Sequence, residues 1–304
     1  MPKVSVIIPT YNQGRFITST IDSVINQTYK DFEIIIIVDG STDDTLERLE
    51  RFGNKIKIIQ QENSERAVAR NNGVKNSCGE YLAFLDSDDL WNSNKLEIQV
   101  KILDTNPDIS LVYSTCERID ENSNKIRPAK RQLEGYSGYV YEKLLMRNFI
   151  VSPTPIVRRN LFEETTGFVT KYIPYEDWEF WIRFSLKGKV EFIPTPLAYY
   201  RIHSAQSVKT ITAERIEHAT TLLLEDSFKL QEIPNNLRNK ALALANLRYC
   251  YWYILANNNK TAKEKIKRAI KLYPNFLTDY RWIGLYITSR FPKLKSIINL
   301  KQFH

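Results

Sequence analysis

Tyr81-Leu82-Ala83-Phe84-Leu85-Asp86-Ser87-Asp88-Asp89-Leu90-Trp91 is the stretch around which the chain is organised. Its first five residues are largely apolar and read as a buried strand, and three carboxylates crowd the point where that strand ends. Three acids within four residues repel one another unless something cationic sits among them. Asp86 and Asp88 stand two apart, so at a strand end both lean toward one hard cation such as Mg2+ or Mn2+. A polar turn that caps the next helix is the plainer reading of an Asp-rich segment. The apolar strand before it and the helical pattern after it weigh against that reading.

The flanks repeat the same alternation. Residues 4–9 are a β-branched run closed by Pro9, and residues 16–25 carry apolar side chains at helical spacing. A second buried strand at 32–38 ends in Asp39-Gly40-Ser41, and Ser41 with Asp44 three later signals the cap of a helix through about Phe52. A third strand at 56–60, a helix at 67–76, the central strand at 81–86, a helix from Lys95 to about Asp104 and a strand at 111–115 follow. Strands alternating with helices imply an α/β fold with a doubly wound, mostly parallel sheet covered on both faces. In such sheets ligands bind at the carboxyl ends of the strands, where Pro9, Thr10, Asp39, Asp86 and Asp88 fall. Residues 117–175 are less regular, and long irregular stretches of this kind often form functional walls and lids. A Trp-rich helix from Glu176, short strands at 190–193 and 197–201, and His203 complete this half. From about Ala213 the chain is helical. Tyr253, Ala262, Ile266, Ala269 and Pro274 fall where a tetratricopeptide unit places its packing residues, but one unit cannot bury its own faces and no second copy follows, so an ordinary helical hairpin packed on the main domain is the preferred reading.

The chain has 304 residues with 43% hydrophobic content, enough for one large domain or one domain plus an appendage. Three cysteines without metal spacing fit a reducing compartment better than a disulfide framework. Met1 to Pro9 is too quickly broken by proline to read as a signal peptide, and no apolar run approaches the roughly 18 residues of a spanning helix. A soluble, cytoplasmic protein, or one peripheral to a membrane, is expected. The net charge of +8 is uneven: residues 205–304 hold 17 Lys and Arg against 7 Asp and Glu, and the first 204 hold 26 against 28. The basic balance therefore marks only the last hundred residues as candidates for an anionic membrane surface or another acidic partner. Nucleic acid is not an expected partner.

Pro9-Thr10-Tyr11-Asn12, Asp39-Gly40-Ser41-Thr42-Asp43-Asp44, Ala69-Arg70-Asn71-Asn72-Gly73, Gly79-Glu80-Tyr81, Asp86-Ser87-Asp88-Asp89 and Glu176-Asp177-Trp178 occur in that order. The series resembles the family 2 inverting glycosyltransferases, which have the nucleotide-sugar-binding GT-A fold, over roughly residues 3–204. Each motif alone is weak, and the ordered set is specific. The resemblance implies a catalytic domain at 1–204 followed by a basic helical region at 205–304.

The resemblance also implies roles. A nucleotide-sugar donor, most often a UDP-sugar, carries a diphosphate whose charge grows as the sugar leaves, and Mn2+ or Mg2+ would offset it. Asp88 is then the direct metal ligand, Asp86 faces the ribose or metal-bound waters, and His203 is a third ligand in some relatives. Asp89 either helps the metal site or caps the next helix. Asp39 accepts a hydrogen bond from the base, with Pro9, Thr10 and Tyr11 lining its pocket and Tyr11 stacking on it. Here the chain departs from the family, which usually has two acids before the glycine where this sequence has Val38-Asp39. Arg70 reaches the base or the diphosphate, and Arg66 is a weaker second candidate. A sugar hydroxyl is a poor nucleophile, so a carboxylate must take its proton. Asp177 matches that base, with Glu176 as runner-up or acceptor-orienting group. Trp178 and Trp181 read either as a sugar-stacking wall or as core. The acceptor implied is a glycan or a lipid-linked sugar.

Other classes fit less well. Nucleotidyl transfer also uses two carboxylates and a metal but does not predict Asp177 before a Trp helix. A dinucleotide oxidoreductase lacks its Gly-x-Gly-x-x-Gly after the first strand. A non-catalytic nucleotide-binding scaffold remains the alternative. Residues 280–304 mix aromatic and apolar side chains with Arg281, Arg290, Lys293 and Lys295, a pattern that fits either a helix packed on the preceding hairpin with its charges in water or a segment docking on a membrane face.

Overall fold

A computed structural model describes residues 1–126, 135–204, 206 and 211–275. The first elements are β1 (Val4–Thr10), α1 (Gly14–Ile25), β2 (Phe32–Asp39), α2 (Thr45–Glu50), β3 (Lys57–Gln61), α3 (Glu65–Lys75) and β4 (Tyr81–Phe84). There follow β5 (Leu90–Trp91), α4 (Lys95–Thr105), β6 (Ile109–Ile119), β7 (Lys125–Ile126), α5 (Tyr141–Met146), β8 (Ile156–Arg158), α6 (Arg159–Glu163), α7 (Glu176–Phe184) and β9 (Lys189–Arg201). Helices α8 (Ala213–Leu230), α9 (Asn235–Leu255) and α10 (Asn259–Leu272) complete the described chain.

The strands form one sheet in the order β3-β2-β1-β4-β8-β6-β9-β5, with β7 on β6. β3, β2, β1 and β4 run parallel, Ile7 pairing with Ile35 on one side and with Phe84 on the other. Alternation then sorts their side chains onto two faces. Val4, Val6, Ile8, Ile34, Ile36 and Val38 meet Ile17, Ile21 and Val24 of α1 and Leu96, Val100 and Leu103 of α4 in one core. Ile35 and Ile37 face the other way and meet Ala69 of α3. A methyl group at Gly73 would lie 2.4 Å from Ile7 Cγ2, so the glycine is what lets α3 lie against the sheet. With helices on both faces, the buried strands are near-continuous apolar runs, as the sequence shows.

Several details differ from expectation. The helix foreseen from Ser41 begins at Thr45, because Ser41 Oγ instead accepts from Asn12 N (3.0 Å) and Asp44 pairs with Arg48. Asp43 does the capping: its Oδ2 accepts from Gly14 N at the start of α1 (3.0 Å) and its Oδ1 from Thr45 N at the start of α2 (3.1 Å). Burial raises the pKa of that carboxyl, but these hydrogen bonds outweigh it and hold it below the ordinary value. The two strands expected at 190–193 and 197–201 are one strand, β9, parallel to β6. Pro194 and Pro196 are absorbed at a register shift in β6 between Ser114 and Cys116, and Thr115 Oγ1 donates to Pro194 O (2.9 Å). β8, three residues long and antiparallel to both β4 and β6, was not expected at all.

The chain divides into two compact units. The first contains Met1–Leu144, Asn148–Thr170 and Glu176–Ala205, hence the whole sheet. The second gathers Leu145–Arg147, Lys171–Tyr175 and the chain from Gln206 onward. In it, Thr212 Oγ1 caps α8 through Arg215 N (3.2 Å) and Asn258 Oδ1 caps α10 through Thr261 N (3.2 Å). Ala262, Ile266 and Ala269 follow helical spacing and are buried, as is Tyr253 of α9, so four of the five tetratricopeptide-like positions pack in a hairpin, while Pro274 is exposed. No described helix is long and apolar enough to cross a membrane. The segment at 280–304 lies outside the described residues.

Candidate active site

The carboxyl ends of β1, β2 and β4 lie side by side, and their loops are tied together. Asn12 Oδ1 accepts from Thr42 N (2.8 Å), fixing the loop after β1 to the loop after β2. Asn12 itself sits at φ +51°, in the left-handed region. Thr10 is buried with no hydrogen-bond partner for its hydroxyl among the described residues, and the next residue, Tyr11, is half-exposed. Pro9 lies in β1 opposite Ile37, beyond the last residue paired with β4.

The four residues after the central strand take four different positions. Asp86 Oδ1 accepts from Arg70 Nη2 (2.8 Å). Burial alone would raise its pKa, but the Arg70 charge overrides this and lowers it. Ser87 O and Asp89 O both lie 2.9 Å from Thr20 Oγ1 of α1. Asp88 Oδ2 meets His203 Nε2 at 2.8 Å, and the imidazole packs on Phe16 with ring centres 4.7 Å apart. Asp89 neither joins this pair nor caps a helix. Its Oδ1 accepts from Arg201 N (2.8 Å), and burial together with the charges of Asp88 and Asp86 raises its pKa well above the ordinary carboxyl value.

Arg70 is the hub. It is 3% exposed, and its guanidinium donates to Asp86 on one side and from Nη1 to Glu176 Oε1 (2.9 Å) on the other. Arg66, one turn earlier on α3, donates from Nη2 to Glu176 Oε2 (3.1 Å), and its Nε approaches Oε1 as well. Glu176, 1% exposed, is therefore neutralised by two arginines. Asp177 is not. Its Oδ1 accepts from Trp178 N (2.7 Å) and its Oδ2 from Asn148 Nδ2 at a long 3.4 Å. Burial and the adjacent Glu176 charge raise its pKa to about 6, with Arg70 and Arg66 pulling the other way. A carboxyl group poised near neutrality can take a proton in one step and release it in the next.

Asp39 is 4% exposed, and its Oδ1 accepts from Gln61 Nε2 (2.6 Å) and Ser64 N (2.9 Å). Val38, the residue before it, packs in the core, leaving Asp39 as the acid at this strand end.

A metal has a narrow place here. Asp88 and His203 supply one carboxylate oxygen and one imidazole nitrogen in contact; the carboxylate suits Mn2+ or Mg2+, and the imidazole favours a transition metal such as Mn2+ over Mg2+. Asp86 is engaged by Arg70, and among the described residues no three His, Cys, Asp or Glu are grouped as a metal cage. The residues fit a cation that takes its remaining ligands from phosphate and water, as Mg2+ does at many phosphate sites, and do not fit one enclosed by protein. A cavity of about 420 Å3, lined by Asn71, Lys75, Ser77, Arg159 and Thr165 among others, contains none of these carboxylates.

Trp178 and Trp181 are 2% and 1% exposed, so they are core rather than a sugar-stacking wall. Trp178 Nε1 donates to Leu144 O (2.8 Å), and Trp181 packs among Phe84, Phe168 and Phe180. Three residues at the site have no motif of their own in the sequence. Arg201, fully buried, donates from Nε to Asp88 O (2.6 Å) and from Nη1 to Asp120 O (3.0 Å), which fixes the acidic turn to the loop after β6. Asn148 contacts Asp177, and Ser152 Oγ lies 3.4 Å from Arg70 Nη2. Of the three, only Arg201 has a positional signal, two residues before His203 at the end of β9.

The architecture and the strand-end acids define a GT-A type α/β protein. Among solved structures, it resembles S. aureus TarS in complex with UDP with a TM-score of 0.67 and 20% identity, covering 99% of this chain and 90% of that one. It also resembles the mannosyltransferase PcManGT from Pyrobaculum calidifontis, solved with GDP-Man and Mn2+ (TM-score 0.62, 18% identity, 99% and 84% covered). Residues 5–166 match Glycosyl transferase family 2. The chain belongs to that family. A glycosyltransferase of Haemophilus influenzae is 33% identical over 236 residues, 74% of this chain and 73% of that protein. One of Rickettsia bellii is 40% identical over 203 residues, 66% of this chain. The chain spans only 29% of that Rickettsia bellii protein, and 43% of a similar one from Rickettsia conorii.

Proposed function

We propose that the protein is an inverting, metal-dependent glycosyltransferase. It moves a sugar from a nucleotide-sugar, with UDP-sugars the first to test, to a hydroxyl of a glycan or lipid-linked acceptor. The observation that carries this reading is the placement of Asp177. It has a raised pKa and stands next to Glu176, which Arg70 links to Asp86 at the end of β4. The ligands named for TarS and the mannosyltransferase support a nucleotide-sugar donor.

In this account Asp39, Thr10 and Tyr11 receive the base, and Arg70 and Asp86 stand beside the ribose and diphosphate. Asp88 and His203 would hold Mn2+ or Mg2+, which offsets the charge of the departing diphosphate. The acceptor oxygen attacks the anomeric carbon from the face opposite the diphosphate, and its proton passes to Asp177. The bond to the leaving oxygen breaks, and the nucleoside diphosphate takes the electron pair. Glu176 is already engaged by two arginines, and its place is to fix Arg70 and Arg66. Residues 1–204 are the proposed catalytic part, and 205–304 the basic part that contains α8, α9 and α10.

Thermal-shift and calorimetric titration with UDP-, GDP- and dTDP-sugars, with Mn2+ and with EDTA, tests the donor reading, since a specific donor stabilises the fold by mass action. One donor should raise the melting temperature with Mn2+ and much less with EDTA. No response to any donor would refute the reading. Tight binding without hydrolysis or transfer to any acceptor would favour a nucleotide-binding scaffold.

The second unit carries a separate proposal, peripheral membrane contact. On α10, Lys260, Lys267, Arg268 and Lys271 are exposed, and no described residue forms an ion pair with them. Such a face is attracted to anionic lipid. Flotation on anionic vesicles should fall on charge reversal at Lys267 and Arg268, and equal flotation would refute the contact.

A further inference from the structure

The polar residues behind Asp39 form a directed chain that the proposed chemistry does not use. Asp39 and Gln61 are cross-strand partners at the ends of β2 and β3, so their side chains lie alongside one another. Gln61 Nε2 donates to Asp39 Oδ1 at 2.6 Å. Asn72 Nδ2 of α3 donates to Gln61 Oε1 at 2.7 Å, and Asn76 Nδ2 donates to Asn72 Oδ1 at 2.8 Å. The order of these amides is not arbitrary. A carboxylate only accepts, so Gln61 must turn its NH2 toward Asp39 and its oxygen toward Asn72. Asn72 must then present its NH2 to Gln61 and its oxygen to Asn76. Each link polarises the next in the same direction.

The chain ends on one oxygen only. Gln61 Nε2 and Ser64 N both donate to Asp39 Oδ1, and no described residue donates to Oδ2. With one oxygen doubly satisfied inside the protein and the other taking no donor from the described residues, the carboxylate is set to receive an N–H from outside. A nucleobase N–H, such as the imide of a pyrimidine or the amide of guanine, is the fitting chemistry at a strand end of this fold.

We infer that Gln61, held by Asn72 and Asn76, is a positioning residue that sets the rotation of Asp39 so that Oδ2 meets an N–H of the donor's base. This rests on the nucleotide-sugar reading above and goes beyond it by assigning base recognition to a side-chain relay. It also offsets the apolar residue at Val38: a single carboxylate stands at this strand end, and it is locked in place.

The test uses the full chain with Mn2+, titrated calorimetrically with UDP, GDP and ADP and separately with inorganic diphosphate, which has no base. Gln61→Met should weaken the preferred nucleoside diphosphate about tenfold, the loss expected for a misdirected hydrogen bond to a charged group. Asn72→Leu should weaken it about threefold, since Gln61 remains but can rotate. Both variants should keep the diphosphate affinity of the unaltered protein, and the donor KM should rise while kcat at saturating donor stays within twofold. If Gln61→Met does not fold, Asn72→Leu alone carries the same comparison. Unchanged nucleoside-diphosphate affinity in a folded variant, or an equal loss for diphosphate, overturns the relay. A failure of the unaltered protein to bind any of the three nucleotides overturns the donor reading itself.

Discussion

Replacing Asp177 by Asn removes a carboxyl group whose pKa burial and the neighbouring Glu176 raise from 3.8 to about 6. A shift of about two units corresponds to roughly 3 kcal/mol of penalty on the charged form. Asp177 is partly open to solvent, which reduces the realised penalty to about 1–2 kcal/mol. The hydrogen bond that Asn sacrifices, the 3.4 Å contact from Asn148, is too long to offset it. Because the folded pKa is the higher one, the folded protein binds this proton more tightly than the unfolded chain. Its contribution to stability is therefore lost as pH rises from about 4 through 6. Asp177→Asn should then melt about 2–6 °C higher than the unaltered protein at pH 8, and the difference should vanish at pH 4. Sugar transfer should be abolished with donor affinity retained. The assay is thermal unfolding at the two pH values beside calorimetric donor binding and turnover. A variant that melts lower at pH 8, or one that still turns over, would refute the reasoning.

The same energetics yield further expectations. Turnover of the unaltered protein should fall as pH drops below about 6, where Asp177 becomes protonated, as a rate profile under saturating donor would show. Arg70→Met leaves the nearly inaccessible Glu176 and the neighbouring Asp86 short of a shared cation and should cost about 3–5 kcal/mol in urea unfolding, along with activity. Lys95 is fully buried, with Gln99 Oε1 at 2.6 Å and the Trp91 ring at 4.1 Å, and burial lowers its pKa far below the ordinary lysine value. Its folded form favours the neutral amine, so stability declines as pH falls; Lys95→Met should be about 1–3 kcal/mol more stable near pH 6, with a flatter pH dependence. Gly73→Ala should cost about 1–3 kcal/mol, since the new methyl meets Ile7 Cγ2 at 2.4 Å in a packed layer.

What was legible in the sequence follows from how local each feature is. The strands β1, β2 and β4 are apolar runs closed by turn residues, and their order with the intervening helices implies the parallel sheet. The Arg70-Asn71-Asn72-Gly73 run was visible as a motif, yet its physics appears only in three dimensions. Arg70 links two acids, Asn71 clamps the backbone of Phe168 through both amide atoms, Asn72 orients Gln61, and Gly73 admits the sheet. β8 was hidden because three residues give no period to read. The place of Asp89 was hidden because its partner, the amide of Arg201, lies 112 residues away. Trp178 and Trp181 were ambiguous because a helix of alternating acids and aromatics does not say which side is covered. The roles of Asn148 and Ser152 come from a loop whose course no local rule sets.

In the proposed reaction Asp177 takes a proton as the anomeric carbon inverts. The most direct measurement is a time-resolved proton NMR record of sugar released from an α-linked nucleotide-sugar in the presence of Mn2+, water serving as acceptor. The β anomer should appear first and mutarotate later, and with Asp177→Asn no sugar should appear above the uncatalysed rate. Initial release of the α anomer, or undiminished release by the Asn variant, would contradict it.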